Sequence, residues 1–300
     1  MKTGVFLAIL AYTIWGLLPI YWKTIRHVPP LEILCHRIVW SFLFLAAAQT
    51  AVRNWRGMRQ KLKASRTRIM VVVSACIIGS NWLLYVWAVN TGYVVEASLG
   101  YFINPLISVF LGVLILKERL RPLQWTAVGI AALGVLYLTF VYGAFPWIAL
   151  VLAFSFGIYG LLRKIGDLNA LEGLTGETGL LFPLCFAALF FLSVKANGAF
   201  GPPFSNTSFL LFLTGIVSAL PLTLFAAAAR RIPLSLLGML QYILPTILFV
   251  LGVFVFKEPF STERLVGFMF IWTALMVHSI EAMLLRRRRL PSRNRGGAES

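Results

Sequence analysis

Long apolar runs, each about 20 residues and separated by short polar or basic breaks, fill most of the chain. At 1.5 Å rise per residue, a helix of about that length crosses a hydrocarbon core of about 30 Å. The runs predict spans near residues 4–24, 32–52, 69–90, 96–116, 123–142, 147–162, 174–194, 208–229, 234–256 and 265–285, hence an all-α polytopic membrane protein with ten transmembrane helices. The longest breaks, around 53–68 and 195–207, are too short for a separate soluble domain, so the activity is expected within the membrane.

The pattern also repeats. Residues 105–118 read PLISVFLGVLILKE and residues 245–258 read PTILFVLGVFVFKE, sharing P-x5-L-G-V-x3-K-E at an offset of 140. Leu31 and Glu32 recur as Leu171 and Glu172 at the same offset, and Trp15-Gly16-Leu17-Leu18 resembles Tyr159-Gly160-Leu161-Leu162 at an offset of 144. The chain therefore divides into a first five-helix unit, residues 1–142, a second, residues 143–285, and a basic tail, residues 286–300. Five is odd, so the second copy must enter the membrane from the side opposite the first. Inverted repeats of this kind place a substrate site near the midplane, and rocking between mirror arrangements gives alternating access.

Composition sharpens the class. Of 300 residues 59% are hydrophobic and 12% charged, against roughly 45–50% and 25% in soluble domains, and no soluble fold hides that much apolar surface. A formal net charge of +17 raises nucleic acid as a partner. The distribution of that charge points to a lipid bilayer instead. Arg53, Arg56, Arg59, Lys61, Lys63, Arg66 and Arg68 share one break, and Arg286 to Arg289 follow the last run. If both are cytoplasmic, alternation of spans also brings Lys117, Arg119, Arg121, Arg163, Lys164, Arg230 and Arg231 inside, which is the positive-inside pattern with both termini cytoplasmic. The Arg-rich tail would add attraction to anionic headgroups. Met1, Lys2 and the following apolar run resemble a signal peptide, but the run of about 19 residues lacks a small-x-small exit and is read as the first span. Cys35, Cys76 and Cys185 all fall within spans and read as small core residues; Cys35 beside His36 makes no metal site, because adjacent helical residues point about 100° apart.

Ala11-Tyr12 with Trp15-Gly16, residues 32–37 (EILCHR), 81–90 (NWLLYVWAVN), 96–105 (EASLGYFINP) and Lys117-Glu118 resemble the RarD branch of the EamA drug/metabolite transporter superfamily, over nearly the whole chain. The resemblance implies ten helices as two inverted EamA repeats, residence in a bacterial-type inner membrane and permease activity. It implies no substrate, no cofactor and no oligomeric state.

Polar groups within a span cost several kcal/mol unless they face protein or water, which makes each a candidate site. Ser74, Asn81 and Tyr85 form one stripe of a helix, flanked by Trp82, and Gly100, Asn104, Ser108 and Gly112 form another. The small residues of the second stripe also suit close helix packing. Pro105 leaves the Tyr101 carbonyl without its helical donor, and Tyr101 and Pro105 correspond to Gln241 and Pro245. Paired helix breaks at Pro105 and Pro245 would mark a central site, with Asn104 and Gln241 either lining it or making interhelical hydrogen bonds. Trp15, Trp82, Tyr85, Tyr101 and Tyr242 lie away from the expected span ends, either as core filler or as cavity walls suited to an apolar, aromatic or cationic solute. Arg37 and Glu177 correspond at offset 140, each roughly 8 Å deep from opposite faces and so roughly 14 Å apart; they either snorkel or gate. Glu96 reads as a helix N-terminal charge or a proton carrier, and His36 and His278 as packing or titrating groups.

Three function classes compete. A secondary transporter of a small organic solute is favoured by the repeats, the paired prolines and the resemblance, and no G-x4-G-K-[ST] phosphate loop occurs. An intramembrane enzyme would need paired carboxylates, a zinc constellation or a nucleophile with a base, and none of these patterns is present. A channel or accessory membrane subunit stays open.

Overall fold

The computed structural model describes residues 1–194, 198–200, 205–257 and 262–289, with backbone alone at 264 and 282–289. The helices are α1 (Lys2–Thr24), α2 (Pro30–Ala51), α3 (Trp55–Lys61), α4 (Ser65–Asn90), α5 (Val94–Leu114), α6 (Pro122–Tyr142), α7 (Trp147–Ile165), α8 (Ala170–Val194), α9 (Asn206–Ala229), α10 (Leu234–Gln241), α11 (Ile243–Val250), which runs into a π-helical turn at Leu251–Val255, and α12 (Thr262–Arg289). Among the described residues nine helices are long and apolar enough to cross a membrane, counting Leu234–Val255 as one, and α12 contributes a shorter apolar stretch, Leu265–Glu281. Local sequence sets several boundaries. Pro30 and Pro122 open α2 and α6, where the missing N–H costs nothing. The Ser205 hydroxyl accepts from the Ser208 N–H to cap α9, and Gly143 at φ 75° closes α6.

Two features depart from the sequence reading. The break at 53–68 contains α3, held against the start of α8 because Asn54 Nδ2 and Lys61 Nζ donate to the Glu172 carboxylate at 2.9 and 2.7 Å. The expected break at Pro105 is absent: α5 is continuous through it. Proline removes a single donor, and a packed helix within a bundle absorbs that loss. The corresponding helix does break, at Tyr242 between α10 and α11, three residues before Pro245. Glu258, which ends the second copy of the repeat, and residues 290–300 of the basic tail lie outside the described residues.

Among the described residues the chain forms two compact units, one within residues 1–118 and 145–257 and the other within residues 119–144 and 262–289. In the smaller unit α6 packs on α12. A Cβ on Gly134 would stand 2.7 Å from Phe270, and one on Gly267 would stand 2.6 Å from Leu138, so both glycines admit the opposing side chain. Arg121 and Glu281 approach to 3.9 Å at one end of this pair.

The larger unit has two unlike ends. At one end, basic residues are tied into the carbonyls of neighbouring helix ends. Lys164 Nζ donates to Ala229 and Ile232 carbonyls at 3.1 and 2.5 Å, and Arg230 donates to the Leu168 carbonyl at 2.8 Å and to that of Gly166. Glu118 accepts from the Leu234 and Ser235 N–H groups at 2.6 and 2.9 Å, satisfying the buried start of α10. Beneath this basic end lies a tight core that includes Tyr12, Tyr159, Phe225, Ile232 and Leu237. At the other end, Glu32 Oε1 accepts from the Ala199 N–H at 2.7 Å and His27 meets Thr207 at 3.1 Å. Lys117 and Lys257, which follow the two copies of the shared motif, both adopt positive φ, 54° and 53°.

α5 and α10 approach closely because position 238 is glycine. A Cβ there would lie 2.6 Å from the Pro105 carbonyl oxygen and 2.8 Å from Ser108 Cβ. Backbone cannot yield as a side chain does, so Gly238→Val is expected to cost about 1–3 kcal/mol, or more, by overpacking. Thermal unfolding in detergent checks this; an unchanged midpoint would show that the two helices have room.

Candidate functional site

Away from the basic end, the larger unit encloses a cavity of about 230 Å³. Its lining comes from the last third of α1, the first third of α2, the last third of α4, the first half of α5 and of α7, the middle of α9, and the α10–α11 junction. Those positions share one direction along the bundle.

Most of the residues singled out by sequence are brought together here. Trp15, Asn81, Trp82, Tyr85, Tyr101, Asn104 and Gln241 all line the cavity, and so does Arg37. The two stripes converge only in part. Ser74 turns to its own helix, donating to the Met70 carbonyl at 2.7 Å, and Ser108 and Gly112 pack against α10. Tyr242 is outside the lining: it is fully buried, and its hydroxyl donates to the Phe102 carbonyl at 3.3 Å, one turn before Pro105.

The polar groups differ in what they are free to do. Asn81 Nδ2 donates to the Leu152 carbonyl at 3.0 Å and to Ser155 Oγ at 2.8 Å, binding α4 to α7. Asn104 is 5% exposed, and its Oδ1 finds no hydrogen-bond partner among the described residues. A buried acceptor left in that condition costs about 1–3 kcal/mol, so this oxygen is poised for a donor that enters the cavity. Arg37 Nε donates to Ser218 Oγ at 2.9 Å, and its guanidinium carbon lies 5.1 Å from both the Trp22 and the Trp82 rings. Tyr85 and Tyr101 meet edge to face at 6.2 Å, and Trp15 meets Phe156 edge to face at 5.9 Å.

The remaining charged candidates stand elsewhere. Glu177 is not in the lining; it is 1% exposed, accepts from Arg163 Nη1 at 3.3 Å and accepts from the Tyr159 hydroxyl at 3.0 Å. Arg163 itself is 5% exposed, so this cation, counted in the sequence with those at the membrane surface, is a buried partner. Neither Arg37 nor Glu177 snorkels, since each is engaged within the bundle. Glu96 accepts from the Ile148 N–H at 2.7 Å and so caps the start of α7. His36 Nδ1 accepts from Trp40 Nε1 at 3.2 Å, its Nε2 lies 3.8 Å from Glu32, and its ring stacks on Phe200 at 5.0 Å, all outside the cavity.

Sequence reasoning missed Trp22, Phe156 and Ser218. Trp22 sits near a span end, where it reads as an ordinary belt residue. Phe156 carried a usable signal: the offset that matches Trp15 to Tyr159 also matches Tyr12 to Phe156. Those four rings form a chain with centroid separations of 5.9, 5.9 and 6.0 Å, closing the cavity towards the basic end. Ser218 gave no signal, because only the folding of α9 against α2 brings it to Arg37.

Residues 2–140 match the EamA-like transporter family. The chain is similar to the uncharacterized transporter YojE of Bacillus subtilis (strain 168), at 44% identity over 95% of this chain and 96% of YojE. It is similar to protein RarD of Escherichia coli (strain K12) at 43% identity, over 96% of this chain and 97% of RarD. A solved crystal structure is similar in fold, with a TM-score of 0.71 and 18% identity, covering 95% of this chain and 99% of that one.

Proposed function

The chain belongs to the EamA-like transporter family, among relatives that include the RarD proteins, and on that footing we propose that it is a secondary carrier of a small organic solute working by alternating access. The observation that carries the reading is the asymmetry of the larger unit: one end closed by ion pairs, carbonyl-bound cations and packed aromatic rings, and towards the other a cavity with an amide oxygen that has no partner among the described residues. A carrier needs that combination, because a pathway open at both ends would be a pore.

Several features support inverted repeats as the origin of the asymmetry. Tyr242 donates to Phe102, its own counterpart at offset 140, and in a two-fold arrangement a residue that touches its counterpart lies near the axis. Glu32 secures the chain after α8, while Glu172, its counterpart, secures the chain after α2. Lys117 and Lys257 share an unusual backbone conformation at the same offset. With the basic end in the cytoplasm, as the positive-inside rule favours, the cavity faces outward and rocking about the α5–α10 contact would turn it inward.

Reporter fusions test the topology. Both termini are expected in the cytoplasm, with Lys117 and Lys257 on opposite sides of the membrane. Finding those two lysines on one side would overturn the inverted arrangement. Purified protein in proteoliposomes, offered labelled aromatic and aliphatic solutes with and without a proton gradient, tests the carrier itself. Saturable flux with counterflow is expected, and stepwise single-channel conductance would exclude it.

A further inference from the structure

We propose that Arg37 makes the cavity a site for solutes carrying one carboxylate on an aromatic or apolar body. This deepens the carrier reading above and rests on it. Among the described residues the lining contains no Asp, Glu, Lys or His, so Arg37 is its single formal charge there. The ion pairs among the described residues join His36 to Glu32, Lys61 to Glu172, Arg121 to Glu281 and Arg163 to Glu177, and leave Arg37 without an acidic partner. Its neighbour at hydrogen-bond distance is the neutral Ser218 hydroxyl, and the hydroxyls of Tyr85 and Tyr101 lie within its electrostatic reach.

A lone guanidinium in a membrane interior is costly, and such residues mark sites where a counter-charge arrives. The contrast within this chain is direct. Glu177, at the corresponding position of the second repeat, is neutralised inside the protein by Arg163, whereas Arg37 opens onto a cavity. The Trp22 and Trp82 rings flank the guanidinium, which leaves its N–H edge as the face for a partner. A planar fork of that kind matches the two oxygens of a carboxylate. Trp15, Tyr85, Tyr101 and Phe156 supply aromatic wall for the rest of the solute. Of the apolar, aromatic and cationic solutes that the aromatic walls suit, a cationic one is disfavoured, because Arg37 already lies over the Trp22 and Trp82 rings that would attract it and repels a second positive charge.

The test measures binding to purified full-length protein by thermal shift and tryptophan fluorescence, using phenylacetate, 2-phenylethanol and phenethylamine, which share a ring and differ in charge. Phenylacetate is expected to bind about tenfold or more tighter than either of the others, the ratio set by a charge-assisted pair. Arg37→Gln should erase that preference, and Arg37→Lys should keep part of it. Equal binding of the amine or the alcohol, failure of all three to bind folded protein, or an unchanged preference in Arg37→Gln would overturn the proposal. Carboxylate binding without flux in vesicles would sink the carrier and leave the anion site standing; flux indifferent to charge would do the reverse.

Discussion

Solute flux is expected to fall about tenfold or more in Asn104→Leu and to disappear when Gln241→Leu is added, while the altered protein should insert normally and melt no lower than the parent. The sign of the stability effect is the informative part. Asn104 Oδ1 is buried without a partner among the described residues, so an apolar side chain relieves a penalty of about 1–3 kcal/mol rather than creating one. The same change removes the acceptor that a bound solute would use. Gln241 lies on the α10–α11 junction and lines the same cavity, so the pair should act together. A structural role for Asn104 predicts the opposite pattern, with a lowered melting point and flux reduced only in proportion to the folded fraction. Normal uptake in both single variants would remove the two amides from the site.

A second large effect is expected at Gly173. A Cβ at this position would stand 1.7 Å from Arg163 Nη1 and 2.5 Å from its Cζ, so alanine evicts the guanidinium. Arg163 would lose Glu177 and the Asn169 and Ala170 carbonyls together, leaving a buried carboxylate uncompensated. Breaking a buried pair in this way costs about 3–5 kcal/mol, a fall in melting temperature on the order of 10 °C. Glu177→Leu alone should cost a similar amount. With Arg163→Leu and Glu177→Leu both in place, Gly173→Ala should cost little more, because the interaction it destroys is already gone. Additive losses would show that position 173 matters for some other reason.

What could be read from the sequence follows the range of the physics involved. Span positions are local, since twenty apolar residues must cross a bilayer whatever surrounds them, and the long helices fall close to the expected runs. The part of the cavity built by periodicity was equally accessible: Asn81 with Tyr85, and Gly100 with Asn104, share helix faces because of the 3.6-residue turn. Whatever depends on which helix meets which was hidden. Arg163 read as a surface cation because its partner Glu177 sits on another helix, and Arg37 gave no hint that it would face the same space as Asn104. The prolines teach a related point. Pro105 and Pro245 occupy matching positions, yet α5 is continuous through one while its counterpart breaks near the other. Neighbouring groups, not proline itself, decide the outcome.

The pairing of α6 with α12 bears on how the protein is made. The chain between them contains α7 to α11, so α6 reaches the bilayer long before α12 has left the ribosome. Throughout that interval Gly134, whose missing side chain admits Phe270, has no partner helix against it. A nascent chain stalled before residue 260 would therefore carry α6 unmated, and completion of the last span is the event that covers it.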